Sequence, residues 1–336
     1  MNATMSLEET KHYPVMLNQV LSIISPQHGG TFIDCTFGGG SYSQAILKFP
    51  NTKVIAFDRD KLSYKKANYL EKKFPKRFKF FQRKFSTLGE VVQKNLNPKA
   101  IIFDLGLSSF QLADKERGFS FNSKNLLNME MGINEYSAYD AVNNLDRENL
   151  ATIIKVFGDE KDGKVIANRI VKYRSKKTIE TSKELSSIIN GAKKNYKNYK
   201  KNPSTKTFQA IRIFVNRELT ELISGLIEAT KLLSNDGVLI VVSFHSLEDK
   251  IVKNFLNLYS NLRKNPSRYL PLEKKSSLFK LISKKPLIAD KQELKENIRS
   301  RSAKLRHGTR NSNSFFYPNE FKKKFSNYLI LESNEV

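Results

Sequence analysis

An α/β fold, one largely parallel sheet interrupted by an all-helical insertion, is predicted by three observations. Short apolar runs alternate with helical stretches up to Asp104, the alternation stops between Gln111 and Asn216, and it resumes with the most apolar run of the chain, Val238–Val242. Buried strands alternating with helices build βαβ units, and strands covered on both faces are apolar without interruption.

Each element has its own reason. Thr31–Thr36 reads as the first strand, Gly38-Gly39-Gly40 breaks it, and Ser41–Phe49 reads as a helix. Lys53–Asp58 is apolar but too short for a helix, so it is the second strand, followed by a helix over Lys61–Phe74. Arg77–Gln82 and Ala100–Asp104 are the third and fourth strands. In the insertion, Glu148–Lys177 has helical spacing interrupted near Gly158–Gly163, and Thr181–Ala192 opens with Thr181 and Glu184 at capping-box spacing. Glu218–Leu233 carries Leu219, Leu222, Ile223, Leu226 and Leu233 on one helical face. After the turn Asn235-Asp236-Gly237 and the strand Val238–Val242, Leu247–Tyr259 is helical, and Phe279–Ser283 and Ala303–His307 suit an antiparallel pair. The expected organisation is a sheet domain over 1–110 and 217–317, a substrate-recognising helical insertion over 111–216, and a basic, peripheral tail over 318–336.

Composition narrows the function. Lys and Arg number 58 against 33 Asp and Glu in 336 residues, a net charge of +25. That excess favours a polyanionic partner, nucleic acid before an anionic membrane, against the alternative of a Lys-rich solvated surface. The single cysteine, Cys35, excludes an intrachain disulfide and a Cys-ligated zinc cluster. No apolar run approaches the roughly 20 residues of a membrane helix. Met1–Lys11 holds two Glu, no Arg and no apolar stretch, unlike a secretory or transit peptide, so a cytoplasmic location is expected.

The glycine bend and the helix after it offer close backbone approach and free N–H groups to a charged ligand. Gly38 and Gly40 fill two positions of the dinucleotide fingerprint, but Ser43 stands at the third. Asp58 ends the second strand 18 residues after Gly40, where a carboxylate either accepts both hydroxyls of a ribose or caps the next helix. Asp104 closes the fourth strand in the same crevice, and with Phe85 it offers an acceptor and an apolar wall to an adenine. Asp34 has no role with a pyrophosphate. It either holds the glycine loop or meets a cationic amino-acid moiety. Together these favour S-adenosylmethionine over NAD.

Longer strings are specific: His12-x-Pro14-Val15, Asp34-x-Thr36-Phe37-Gly38-x-Gly40, Asp58-Arg59-Asp60, Asp104-Leu105-Gly106-Leu107-Ser108-Ser109-x-Gln111-Leu112 and Glu116-Arg117-Gly118-Phe119-Ser120-Phe121. Thr207–Ile213, Val215-Asn216-x-Glu218-Leu219, Ser243–Asp249 and Arg299–Arg306 follow. From His12 to about Arg310 the chain resembles the bacterial ribosomal RNA small-subunit methyltransferase H (MraW) family. The resemblance implies a class I, Rossmann-like methyltransferase sheet with an inserted helical domain. It also implies N4-methylation of a cytidine in the decoding region of 16S rRNA within the small ribosomal subunit, with S-adenosyl-L-methionine as donor. The family's cofactor positions fall on Gly40, Ser41, Tyr42, Asp58, Phe85, Asp104 and Gln111. The chain departs from the family's Gly-His at Ser41-Tyr42, from Leu-Asp-Met-Arg-Met at Leu127–Met131, and from His-Pro-Ala-Thr-Arg at Asn202–Lys206. A non-catalytic RNA-binding assembly factor that keeps the cofactor fold is the alternative these departures allow.

A sulfonium donor requires neither a metal nor a covalent enzyme intermediate. The amine of cytosine is a poor nucleophile and must be held in line with the methyl group by hydrogen-bond acceptors. Ser108 and Ser109 either serve as those acceptors or satisfy a turn. C5 chemistry instead needs a cysteine nucleophile, and Cys35 at a strand end reads as structural. His245 is either a general base or packs beneath a helix cap made by Ser246 and Asp249. Gln209, Arg212 and Asn216 share a helical face that reads RNA, braces the domain junction or is simply solvated. Lys193–Lys201, five Lys in nine residues with Tyr196 and Tyr199, is expected to be an exposed loop. Lys193, Lys194 and the two tyrosines there, like the run Arg299–Arg310, either track phosphates and stack bases or only aid solubility.

Overall fold

The computed structural model describes residues 14–134, 136–193, 202–260 and 277–333. Among these, seven strands form one sheet: β1 Gly30–Asp34, β2 Thr52–Asp58, β3 Phe78–Gln82, β4 Ala100–Asp104, β5 Val238–Ser243, β6 Phe279–Lys280 and β7 Lys304–Arg310. Their order is β3-β2-β1-β4-β5-β7-β6. The first five are parallel, and β7 runs antiparallel to β5 and β6. In register, Asp34 lies beside Ala56 and Ile102, and Asp104 beside Val242. Asp34, Asp58, Asp104 and Ser243 therefore end neighbouring strands on one edge, and the order reverses between β1 and β4, where such sheets open a ligand crevice.

Helices α1 (Leu17–Ile24), α2 (Ser41–Leu47), α3 (Ser63–Lys73) and the single turn α4 (Leu88–Val91) belong to the first half of the sheet domain. The insertion contains α5 (Ser109–Ala113), α6 (Ala138–Asn144), α7 (Arg147–Gly158), α8 (Gly163–Arg174), α9 (Ser182–Ala192) and α10 (Thr205–Asn216). The chain returns through α11 (Glu218–Leu232), α12 (Ser246–Leu258) and α13 (Lys291–Glu296), and ends in α14 (Asn319–Lys324) and α15 (Ser326–Ser333). The four-residue break between α7 and α8 matches the predicted interruption, with Asp159 left-handed at φ 48°. Thr181 caps α9 by accepting the Glu184 N–H.

The junction is built from polar groups. Arg217, at φ 49°, separates α10 from α11. Just before it, Asn216 is fully buried. Its Oδ1 accepts from Met131 N–H (2.8 Å) and Asn134 Nδ2 (2.7 Å), and its Nδ2 donates to the carbonyls of Met129 and Arg212, both at 2.8 Å. Arg59, after β2, donates to the Asn216 carbonyl at 2.8 Å and to Asn134 Oδ1. The Asn216 side chain thus ties α10 to the Met129–Asn134 segment, and Arg59 joins the end of β2 to both.

Three expectations are corrected. The tail is neither basic nor peripheral: residues 318–336 hold three Lys against three Glu, Phe321 and Phe325 share a face four residues apart and are buried, and Tyr328 meets Phe157 of α7 edge-on at 6.2 Å. Lys193 is not exposed. It is buried against Glu160 at 2.6 Å and also donates to the Pro203 carbonyl, so it closes the base of its segment. Lys194, Tyr196 and Tyr199 lie outside the described residues. Arg306 and Arg310 are not a phosphate track. Both are buried on β7, Arg306 against Asp249 (2.7 Å) and Arg310 against backbone carbonyls.

Candidate cofactor and substrate site

A cavity of about 480 Å³ opens at the strand ends between the sheet and the insertion, lined by the glycine bend, the ends of β2 and β4, and residues of α10, α11 and α12. Gly40 caps α2 at φ 76°, and a Cβ there would sit 2.6 Å from the Phe37 ring. Glycine is required on both counts. Beneath the bend, Asp34 accepts from Ser43 Oγ (2.7 Å) and the Thr36 N–H (3.2 Å). Of its two expected roles it therefore plays the loop-holding one, and burial pushes its carboxyl up to about 6. Asp58 accepts from the Gly38 N–H at 2.6 Å and the Asp60 N–H at 2.8 Å while lining the cavity. Burial lifts its pKa as well.

Asp104 is the least satisfied group in this wall. Its Oδ1 is buried with no hydrogen-bond partner. Burial first, then the charges of Asp34 and Glu248, push its carboxyl up to about 8, opposed by Arg299. Asp34 below the glycine bend, Glu248 of α12 and Arg299 are thus the charges acting on Asp104 in this wall. Phe85 does form an apolar wall, packed edge-on against Phe103 at 5.2 Å. Ser41 and Tyr42 line the cavity, and the Tyr42 hydroxyl donates to the Val15 carbonyl. Gln111 lines it too, but its amide is committed to the Ser108 N–H and to Asp60, both at 2.8 Å.

The candidate reacting groups separate. Ser108 Oγ caps α5 by accepting the Gln111 N–H at 3.3 Å, which is the turn role, yet it also lines the cavity. Ser109 opens α5, and its side chain lies outside what the structure describes. His245 is itself the cap of α12, the place expected for Ser246. Its Nδ1 faces the Glu248 N–H at 3.5 Å, and its Nε2 lies 3.1 Å from Glu248. Asn216 braces the junction, Gln209 donates to the Phe157 carbonyl at 3.2 Å, and Arg212 grips both oxygens of Glu218 at 2.7 and 2.8 Å. Gln209 and Arg212 line the cavity.

Glu218, Glu221, Glu248 and Arg299 line it as well; of these four the sequence points only to Arg299, as the start of a phosphate-tracking or solubilising run. Glu218, His245 and Glu248 bring ligating atoms within 4.8 Å of one another. The visible clue in the sequence is Glu218 and Glu221, one turn apart at the start of α11 beside its apolar face.

The pattern of the MraW methylase family matches residues 9–311. The chain belongs to that family. The ribosomal RNA small subunit methyltransferase H of Afipia carboxidovorans is 40% identical over 313 residues, covering 92% of this chain and 93% of its own. The protein of the same name from Ehrlichia canis is 43% identical over 302 residues, covering 88% and 98%. A crystal structure of an rRNA methylase from Streptococcus thermophilus covers 90% of this chain and 99% of its own at 9% identity and a TM-score of 0.40, which adds no weight.

This MraW methylase uses S-adenosylmethionine as methyl donor. The cavity has the size of a small-molecule site, the glycine bend admits close backbone contact, and the orphaned Asp104 oxygen suits a cationic ligand. At Asn128 and Glu130, two of the positions that depart from the family pattern, Asn128 Nδ2 donates to Glu130 Oε2 at 3.2 Å. Gly40→Ala is expected to weaken S-adenosylmethionine binding about tenfold in calorimetry, because its Cβ displaces the Phe37 ring under the bend and leaves the helical fold intact.

Proposed function

We propose that this methylase transfers a methyl group from S-adenosylmethionine to N4 of a cytidine in the decoding region of 16S rRNA, acting on the small ribosomal subunit in the cytoplasm. The names of its relatives and the charge of +25 support the RNA. The observation that carries the chemistry is the unpartnered Asp104 oxygen at the end of β4, in the same wall as Ser108. The bound donor supplies a methyl on a positively charged sulfur. Asp104 holds its own charge while that cation faces it and regains a proton once the cation is spent. That timing suits the acceptor for the proton an amine releases. Ser108 keeps a free lone pair and its own hydroxyl proton beside the cap bond, enough to orient an exocyclic amine. Residues 111–216 present the RNA, whose target base must be unpaired or flipped for N4 to enter.

C5-methylation fits poorly. It needs a thiolate, and burial together with Asp34 keeps the Cys35 thiol protonated. Ser108→Ala is expected to slow methyl transfer about tenfold, one lost hydrogen bond, with Ser108→Thr restoring both the cap and the rate.

Mass spectrometry of 16S rRNA nucleosides from cells with and without the gene tests the whole reading. N4-methylcytidine should vanish with the gene. Labelled-methyl transfer by the purified protein to subunits lacking the modification separates the enzyme from a non-catalytic assembly factor, which would give none.

A further inference from the structure

The family match stops at residue 311, yet the chain beyond it reaches the catalytic cavity indirectly. Helix α11 begins straight after the left-handed Arg217 and has no side-chain cap from its own flank. Its first N–H groups need acceptors. Glu332 of α15 provides them from 113 and 112 residues away: its Oε1 accepts the Leu219 N–H at 3.0 Å and its Oε2 the Thr220 N–H at 2.7 Å. The Glu332 side chain is buried there. Aromatic contacts hold α14 and α15 in place, Phe321 on Phe255 at 4.9 Å and Phe325 on Tyr328 at 5.7 Å. Residue Glu218 of the same capped turn grips Arg212 with both oxygens, and both line the cavity.

One helical turn thus meets the tail on one side and the cavity on the other. We propose that Glu332 is a positioning residue for methyl transfer: by capping α11 it fixes Glu218, and through it Arg212, at the reacting end of the cavity. Uncapping frays the first turn of α11 and loosens that pair. The cofactor bend on β1 and α2 is untouched. The proposal rests on the chain being an active RNA methyltransferase.

Glu332→Ala and Glu332→Gln in the full chain provide the test, with methyl transfer to small subunits and S-adenosylhomocysteine calorimetry as readouts. Glu332→Ala is expected to lower kcat about tenfold, Glu332→Gln by less because one acceptor oxygen remains, and both should leave the cofactor dissociation constant within about twofold. If Glu332→Ala does not fold, Glu332→Gln alone carries the comparison. A double-mutant cycle with Arg212→Lys separates positioning from general weakening. Glu332→Ala should add little once Arg212→Lys has broken the two-pronged grip. Losses that simply multiply, an Arg212→Lys variant with full activity, or cofactor affinity falling in step with kcat would each overturn the proposal. Absence of transfer by the unmodified protein would instead overturn the functional reading beneath it.

Discussion

Asp104→Asn is expected to cut methyl transfer about a thousandfold and S-adenosylmethionine affinity about a hundredfold, the scale for removing a preorganised charge opposite a buried opposite charge. The structure gives the reason. Asp104 is hemmed in by Asp34 and Glu248, faces Arg299, and has one oxygen with nothing to bond. In the free protein that environment holds its proton up to about 8. A cationic ligand binds the charged form, so binding below that pH expels a proton. The sign follows: affinity for S-adenosylmethionine should rise with pH, by up to tenfold per unit, and level off above about 8. Asp34, held up to about 6, adds a weaker slope at lower pH. Asp104→Asn should flatten the upper part of the profile. It should also weaken S-adenosylmethionine more than its neutral-sulfur product, since only the donor carries the sulfonium. Calorimetry in buffers of different ionisation enthalpy measures the released proton directly. A pH-independent affinity in the unmodified protein would falsify this account of Asp104.

The same carboxylate shows what a sequence can carry. Its place at a strand end was legible, because a strand buried on both faces reads as an unbroken apolar run and a lone aspartate closes it. The glycine bend and Asp58 were legible for similar reasons. What surrounds Asp104 was not, because Glu248 and Arg299 arrive from elements far along the chain. Charged side chains misled most. Lys193 lies in a run of lysines yet is buried, because Glu160 waits 33 residues upstream. Arg306 and Arg310 look like a phosphate track but are spent on Asp249 and on carbonyls. A charge in a sequence does not say whether water or a partner neutralises it. The tail was misread for the converse reason: its three clustered lysines caught the eye, while Phe321, Phe325, Tyr328 and Glu332, which make its contacts, give only a weak hydrophobic period. His245 displaced Ser246 as the cap of α12 because its ring nitrogen accepts an N–H as a hydroxyl oxygen does.

Asn216→Ala should cost about 3 kcal/mol of stability, since it strands the Met131 N–H and the Met129 carbonyl in a dry junction at about 1–3 kcal/mol each. The loss should exceed that of an ordinary surface change because no water can replace an amide that makes four bonds at 0% exposure. Met129 and Met131 line the cavity, so activity per folded molecule should fall as well. Asn216→Asp is the sharper test. It replaces the Nδ2 that donates to the Met129 and Arg212 carbonyls with an oxygen, so an ionised carboxyl there would bury a charge with acceptors facing acceptors, and the group must instead take up a proton to fold. At neutral pH it should be less stable than the alanine variant. A carboxyl in that position keeps its proton in the folded state and loses it in the unfolded one. Its penalty is therefore incurred as pH rises above the ordinary carboxylate range and relieved as pH falls back towards it. Protonated, it can donate to one of the two carbonyls again. Denaturant melts of the two variants between pH 5 and 8 should converge at the acid end, and parallel curves would mean that the buried amide does not hold α10 to the Met129–Asn134 segment.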